Sequence, residues 1–171
     1  MKLRFISAAI LSLFMAATTF AQMGDKDKRP SPPATTKLTL NKLNVTIDYS
    51  QPSVKGREIF GDLVPYGKVW RTGANEATTI TFNQAATVNG QKVEAGTYAL
   101  FTIPGKDKWT VILNSDAKQW GAYKYKDDKN VATFEVKPTE HAMTEMMTFT
   151  ADGEGNIMLD WATTRVSFTV K

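Results

Sequence analysis

An alternation of apolar and polar residues with a period of two is the feature that most constrains the fold of this sequence. At residues 45–49 the apolar side chains occupy every second position, and the pattern returns at residues 132–136, 147–151 and 166–170. Since successive side chains of a strand point to opposite faces of a sheet, this alternation predicts half-buried β-strands. No segment has the sustained period of 3.6 residues that predicts a long helix.

Turn signals separate the predicted strands. The Asn89-Gly90 pair lies between two short β-type runs and predicts a hairpin, and residues 152–156 predict another turn. The runs at 96–103 and 109–113 are almost continuously apolar, which predicts a central hairpin buried on both faces. About eight to ten short strands with regular turns predict an all-β fold, specifically an antiparallel β-sandwich of jelly-roll type. We expect its core to include Leu100, Ile112, Phe134, Phe149, Leu159 and Phe168.

Residues 1–21 have the organisation of a secretory signal peptide. Lys2 and Arg4 form a positive start, an apolar run follows, and Ala21 supplies a small residue before the expected cleavage point. The polar and proline-rich residues 22–36 predict a flexible linker, which leaves residues 37–171 as a single domain. We therefore expect a periplasmic or secreted protein that does not span the membrane after signal cleavage.

Composition removes several classes of function. The chain has no cysteine and one histidine, which excludes thiolate chemistry and a histidine-rich metal cluster. That histidine, His141, is expected in a solvated loop. Without residues 1–21 the formal net charge falls from +4 to +2, which gives no electrostatic footprint for nucleic acid. We expect no cofactor, no bound metal and no nucleic-acid partner.

Residues 50–77 are the longest stretch without strand alternation, and we expect them to form a long ordered loop. The stretch is too long for an ordinary connection between strands. It nevertheless contains apolar residues, among them Ile59, Val64 and Trp70, that favour burial. A loop of this kind is either a binding site or a structural plug of the domain.

Charged residues within this loop allow both interpretations. Arg57, Glu58, Arg71 and Glu76 lie close to apolar residues in the sequence, where charges are tolerated when they are paired. In the structural interpretation Arg71 pairs with Glu58 or Glu76 and fixes the loop to the sheet. In the other interpretation the arginines face a ligand, because a guanidinium matches the geometry of carboxylates and phosphates.

Aromatic residues extend the candidate site into a groove. Aromatic rings with polar tips suit carbohydrate or peptide surfaces. The candidate groove residues are Tyr49, Arg57, Glu58, Trp70, Arg71, Asn75, Glu76, Trp120 and Tyr123.

Three functions fit these residues. The first is a non-catalytic module that binds a small molecule, a carbohydrate or a peptide in the groove. The second is a hydrolase in which Glu58 and Glu76 act as the two carboxylates that glycoside hydrolysis uses. The third is a structural domain that interacts with the cell envelope and has no small-molecule site. A pocket with aromatic residues and paired charges would favour the first function.

Three long motifs carry a family resemblance. They read YSQPSVKGREIFGDLVPYGKVWRTGANEATTITF at residues 49–82, AGTYALFTIPGKDKWTVILN at residues 95–114 and QWGAYKY at residues 119–125. The chain resembles the DUF2911 family, a bacterial domain of unknown function found in exported proteins, over about residues 38–171. The resemblance implies an exported location and a central place for residues 49–82. It implies no catalytic residue, because the family has no established activity.

Overall fold

The computed structural model describes residues 28–171, so the predicted signal peptide and residues 22–27 of the predicted linker lie outside the described residues. More than half of the described residues lie in strands or isolated β-bridges. A short 3-10 turn, Asp127–Lys129, precedes the strand that begins at Asn130. The strands are β1 Pro33–Leu40, β2 Leu43–Ser50, β3 Thr79–Phe82, β4 Ala86–Val88, β5 Gln91–Val93, β6 Gly96–Ile103, β7 Trp109–Asn114, β8 Asn130–Val136, β9 Thr139–Ala151 and β10 Asn156–Thr169. Within the described part of the chain, no helix is long and apolar enough to cross a membrane.

The strands form one large sheet and two hairpins. The large sheet has six strands in the order β1-β2-β3-β6-β7-β8, and all of its neighbouring pairs are antiparallel. The β4–β5 and β9–β10 hairpins are separate two-stranded sheets. The predicted all-β antiparallel fold is confirmed, with a sandwich-like arrangement. The connections of the large sheet are those of a meander with one inserted hairpin, a simpler topology than the Greek-key connections of a jelly roll.

The main core lies between the large sheet and the β9–β10 hairpin. Alternate residues of β2, such as Val45 and Ile47, point inwards and are buried, while Asn44 and Asp48 are exposed on the outer face. The same alternation places Phe134 of β8 against Phe168 of β10, with ring centroids 5.7 Å apart. All six residues that the sequence predicted for the core are buried: Leu100, Ile112, Phe134, Phe149, Leu159 and Phe168.

Two turns confirm their sequence signals. The Asn89-Gly90 pair connects β4 and β5, and both residues have positive φ (45° and 89°), as the tight primed hairpin turns require. Between β9 and β10 the Asp152 carboxylate accepts hydrogen bonds from the backbone N–H groups of Glu154 and Asn156 and from the Asn156 side chain. The side-chain hydrogen bond from Asn156 is the main reason why the pKa of Asp152 is lowered.

An irregularity at Ala162 in β10 keeps the apolar residues of this strand on the inner face. The buried apolar residues fall on odd positions up to Trp161 and on even positions from Val166, so a strictly regular strand would turn half of them to solvent. The register of β10 against β9 shifts on both sides of Ala162, which has a positive φ of 52°. The left-handed conformation of Ala162 interrupts the regular alternation of β10. The additional residues of the irregular pairing lie in β9, which advances from Thr148 to Thr144 while β10 advances from Asp160 to Ala162.

The linker is shorter than the sequence predicted. Residues 33–36, assigned to the linker, pair with β2 as the first half of β1, starting from Pro33 opposite Ser50. Pro33 has no N–H to donate, but β1 is an edge strand and Pro33 is its first residue, a position where proline is tolerated. Because of the proline-rich composition, the first half of β1 was not predicted as a strand.

The predicted long loop between β2 and β3 forms no strand of its own and closes one end of the sandwich. It contributes Val54, Ile59, Val64 and Trp70 to the main core. The Trp70 ring stacks on that of Trp161, with centroids 5.8 Å apart and an interplanar angle of 17°. The loop is thus fixed by apolar contacts.

Residues 115–126 cover part of the outer face of the large sheet. On this face Ala99, Phe101 and Ile112 form a small second core, and Tyr125 packs edge-on against Phe101 with centroids 5.1 Å apart. This cover confirms that the β6–β7 hairpin is buried on both faces. It extends over β6 and β7 and leaves a cleft beside β1, β2 and β3.

His141 does not lie in a solvated loop as the sequence suggested. It belongs to β9, and its Nε2 atom lies 2.8 Å from Nη2 of Arg165. Its Nδ1 atom lies 2.8 Å from the carbonyl oxygen of Ala142, so we assign the proton of a neutral imidazole to Nδ1. Arg165 also donates two hydrogen bonds of 2.7 Å to the buried Asp160 carboxylate. These three side chains form a polar group on the long β9–β10 hairpin.

Candidate functional site

A surface cleft of about 820 Å3 lies at the edge of the segment 115–126. Its floor comes from β1, β2 and β3, and its walls come from residues 76–77, residues 117–120 and the segment that precedes β1. The lining residues are Arg29, Pro33, Ala34, Thr35, Asp48, Tyr49, Ser50, Glu76, Ala77, Thr79, Ala117, Lys118, Gln119 and Trp120.

A row of polar side chains crosses the floor of the cleft. Thr35 of β1 pairs with Asp48 of β2, and Asp48 pairs in turn with Thr79 of β3. Directly paired residues of antiparallel strands project to the same face, so the strand register brings the three side chains together. The Thr35 hydroxyl donates a 2.6 Å hydrogen bond to the Asp48 carboxylate.

A second pairing places Glu76 beside Trp120. These two residues form an isolated antiparallel bridge, supported by hydrogen bonds from Ala77 N–H to the Gln119 carbonyl and from Gly121 N–H to the Asn75 carbonyl. The bridge brings the end of the long loop against the segment 115–126. Trp120 is 56% exposed, whereas the other three tryptophans of the chain are buried.

Arg29 lies between the Glu76 carboxylate and the Trp120 ring. Its Nη1 atom donates to both carboxylate oxygens of Glu76, at 3.1 and 2.8 Å. The centre of the guanidinium lies 5.8 Å from the Trp120 ring centroid, within the range of a cation–π contact. Charge-assisted hydrogen bonds of this kind are about twice as strong as neutral ones.

Gln119 adds a buried acceptor to the cleft wall. Its Nε2 atom donates to the Asp116 carbonyl at 2.7 Å, and its side chain is almost fully buried. The Oε1 atom has no hydrogen-bond partner within residues 28–171. Leaving such a buried acceptor unsatisfied costs about 1–3 kcal/mol, so a donor at this position would be stabilising.

Three of the nine residues predicted for the groove line the cleft, namely Tyr49, Glu76 and Trp120. Tyr49 is largely buried, and its hydroxyl oxygen accepts a 3.0 Å hydrogen bond from the N–H group of Phe149. Asn75 supports the cleft from behind, since its Nδ2 atom donates to the Ser31 carbonyl and to the Ser50 hydroxyl. Asn75 has a positive φ of 59°, which asparagine tolerates better than most residues.

The other predicted residues lie elsewhere. Trp70 is part of the main core and donates its indole N–H to the Gly73 carbonyl. Arg57 is exposed and donates to the carbonyls of Ser53 and Val54 in its own loop, and the neighbouring Glu58 is exposed too. Tyr123 is 86% exposed and does not line the cleft.

The structure does not contain the predicted pairing of Arg71 with a glutamate. In the described chain no ion pair joins Arg71 to Glu58 or Glu76, and its Nε atom is buried without a hydrogen-bond partner. Burial lowers the pKa of Arg71, and the electrostatic contribution of Tyr123 opposes this effect. The reason for the difference is the segment before β1, which brings Arg29 to Glu76.

Replacement of Arg71 by methionine is therefore expected to leave the free energy of unfolding unchanged or to raise it by up to about 1 kcal/mol. Methionine keeps a flexible apolar stem and removes a half-buried cation with no carboxylate partner. Urea denaturation would measure the change. A loss of more than about 2 kcal/mol would show that the guanidinium stabilises the fold through its surroundings.

Sequence reasoning missed most of the cleft lining. Arg29 and Ala34 lie in what was predicted to be a linker, and Asp48 resembled an ordinary solvent-facing residue of a strand. The alternation of apolar and polar residues at positions 45–49 did place Asp48 on the outer face of the sheet. Nothing in the sequence indicated that residues 117–120 would border that face.

The cleft suits binding through hydrogen bonds and aromatic contact. Its two carboxylates, Asp48 and Glu76, both accept hydrogen bonds from neighbouring side chains. Glu58 does not line it, so the two glutamates of the hydrolase hypothesis do not share this cleft. Among residues 28–171 no group of three or more acidic or histidine side chains could hold a metal ion.

These features define a class of protein: an all-β domain of antiparallel layers with a polar surface cleft beside an exposed tryptophan. A family model described as a protein of unknown function, DUF2911, matches residues 31–170. The chain belongs to the DUF2911 family, which confirms the resemblance seen in its motifs. Comparison with curated proteins and with solved structures found no match.

Proposed function

We propose that this protein is an exported, non-catalytic binding module, periplasmic or secreted, whose cleft takes a small polar ligand such as a carbohydrate or a short peptide. The ligand lies against the Trp120 ring, and the polar row of Thr35, Asp48 and Thr79 accepts and donates hydrogen bonds to it. Residues 1–21, with the pattern of a signal peptide, are the basis for export.

The exposed ring of Trp120 is the observation that carries this proposal. A tryptophan that is 56% exposed, beside a concave polar surface, leaves a large apolar face in water. Burying that face under a ligand removes apolar area from solvent at little cost in side-chain entropy. Ligand sites commonly combine one such aromatic surface with a few convergent polar groups.

The arrangement of charges supports binding over hydrolysis. Hydrolysis by a pair of carboxylates needs one of them as a proton donor and the other free to act as base or nucleophile. In this cleft Glu76 is in an ion pair with Arg29, and Asp48 accepts the Thr35 hydroxyl.

Tryptophan fluorescence tests the proposal directly, because the three buried tryptophans are shielded from iodide and Trp120 is not. The probes are chitotriose and maltotriose as neutral oligosaccharides, trialanine as a neutral peptide, and acetyl-arginine methylamide as a cationic one. We expect at least one probe to protect the protein from iodide quenching. The dissociation constant measured by calorimetry should rise at least tenfold in Trp120→Ala.

Tyr123→Ala is the matched control, since Tyr123 is an exposed aromatic residue three positions along the same segment and outside the cleft. Its affinity for the probe should equal that of the wild type. Equal losses in Trp120→Ala and Tyr123→Ala, or no protection by any probe, would contradict the proposal.

A further inference from the structure

Arg29 occupies the cleft in the way that part of a ligand would. Its side chain is 18% exposed, with the guanidinium between the Glu76 carboxylate and the Trp120 ring. It reaches this position from outside the strands, because β1 begins four residues later at Pro33. A carboxylate and an aromatic face together are a recognised way to bind a cation.

Two backbone carbonyls of the segment that carries Arg29 contact the long loop. The Ser31 carbonyl accepts from Asn75, and the Pro32 carbonyl accepts from the N–H group of Gln51 at 2.9 Å. Two of its residues, Pro30 and Pro32, have no N–H to donate. The segment can therefore be exchanged for another donor without breaking a strand pairing.

The remaining polar lining contains carboxylate acceptors together with hydroxyl groups, which both donate and accept hydrogen bonds. Besides the Glu76 carboxylate, the cleft has the Asp48 carboxylate and Gln119, whose side chain is 5% exposed. The Gln119 Oε1 atom has no hydrogen-bond partner in the part of the chain that the structure describes. Carboxylates accept hydrogen bonds, so Asp48 and Glu76 match a group rich in N–H donors.

The charges of the lining residues also favour a cationic group of the ligand. Apart from Arg29, the lining contains two carboxylates and one basic side chain, Lys118. Among the described residues of the lining other than Arg29, carboxylates therefore outnumber basic side chains. A guanidinium or a primary ammonium restores the balance, whereas an anionic group would meet two carboxylates.

We infer that the cleft recognises a cationic, donor-rich group of its ligand, a guanidinium or a primary ammonium, and that Arg29 is the intramolecular occupant that this group displaces. The inference rests on the proposed function, because it names the ligand chemistry of the same cleft. An internal occupant weakens ligand binding, because the apparent affinity for the ligand equals the intrinsic affinity multiplied by the fraction of molecules in which the cleft is free. Removal of Arg29 therefore raises the affinity for a cation.

The test compares acetyl-arginine methylamide with acetyl-citrulline methylamide, which has nearly the same shape and no charge. Both are titrated by calorimetry into the wild type, Arg29→Ala and Arg57→Ala. Arg29→Ala should bind the arginine probe on the order of tenfold more tightly than the wild type. It should show no comparable gain for the citrulline probe. Arg57→Ala, which removes a basic residue outside the cleft, should match the wild type.

Two further measurements test whether Arg29 lies between the Trp120 ring and the Glu76 carboxylate. The neutral quencher acrylamide should quench the Trp120 emission more strongly in Arg29→Ala than in the wild type, since the guanidinium no longer covers the ring. Adding Glu76→Gln to Arg29→Ala should abolish the gain in affinity for the arginine probe, because the neutral amide lacks the charge that the cation needs.

The outcomes separate this inference from the proposed function. Equal affinity of Arg29→Ala and the wild type for the arginine probe overturns the inference, as does an equal gain for citrulline. If a neutral oligosaccharide or trialanine still protects Trp120 in those cases, the binding function stands without the cationic ligand. Failure of every probe to protect Trp120, in the wild type and in Arg29→Ala, overturns both.

Discussion

Replacement of Phe168 by alanine is expected to lower the free energy of unfolding by about 3–5 kcal/mol. Phe168 is buried in β10 and packs against Phe134 of β8, so its ring bridges the two layers of the main core. Truncation removes the apolar area of the ring and leaves a cavity that rigid strands on both sides cannot close. The urea midpoint, with the slope of the transition, measures the effect.

Val131→Ala is the control for this prediction. Val131 lies in β8, three residues before Phe134, and it is exposed on the other face of the strand. Its truncation should change stability by no more than about 0.5 kcal/mol, as is usual for exposed positions. A Phe168→Ala effect as small as that of Val131→Ala would place the core on the wrong side of the sheet.

Replacement of Arg165 by alanine is expected to cost about 3 kcal/mol, because it leaves a buried carboxylate without its partner. Asp160 has a side chain that is 8% exposed, and it receives two hydrogen bonds from Arg165. These hydrogen bonds raise the pKa of Arg165. We place the cost at the lower end for a buried pair, since the Arg165 side chain is itself 33% exposed.

An exposed ion pair in the same protein is the matched control. Lys108 and Glu135 approach to 2.6 Å, but both side chains are more than half exposed. Lys108→Ala should therefore change the free energy of unfolding by at most about 1 kcal/mol. If Arg165→Ala costs no more than Lys108→Ala, the Asp160 carboxylate is not effectively buried.

A double variant separates the loss of the pair from the loss of packing. In Asp160→Asn with Arg165→Ala, no buried charge remains, and the cost should be clearly smaller than for Arg165→Ala alone. Additive costs in this cycle would show that the two side chains act independently. Thermal unfolding monitored by circular dichroism gives all four stabilities under one set of conditions.

The long loop of residues 51–78 has two roles in this fold. Its first part, with Ile59, Val64 and Trp70, is buried in the main core and closes the sandwich. Its last part brings Glu76 to the cleft. The sequence offered a choice between a plug and a site for the whole loop, and in the structure one part packs in the core while the other lines the cleft of the proposed site.

The sequence by itself determined the fold class, because strand periodicity is a local property. Side chains that alternate with a period of two can bury one face only as strands, and the Asn89-Gly90 pair favours a tight turn whatever surrounds it. The six predicted core residues were correct for the same reason. Two local predictions failed: proline and threonine masked the alternation of residues 33–36 in β1, and His141 lies in β9 and not in a loop.

Only the tertiary structure decided which charges meet. Arg71 and Glu76 are five residues apart and do not pair, whereas Arg29 and Glu76 are 47 residues apart and do. The course of the whole chain in the fold decides which charged side chains are neighbours, and the sequence carries no short-range signal for that course. The same holds for the cleft, where the strand register sets Asp48 between Thr35 and Thr79 and an isolated bridge sets Trp120 beside Glu76. Local alternation fixed the face on which each of these strand residues lies, and long-range pairing fixed its neighbours.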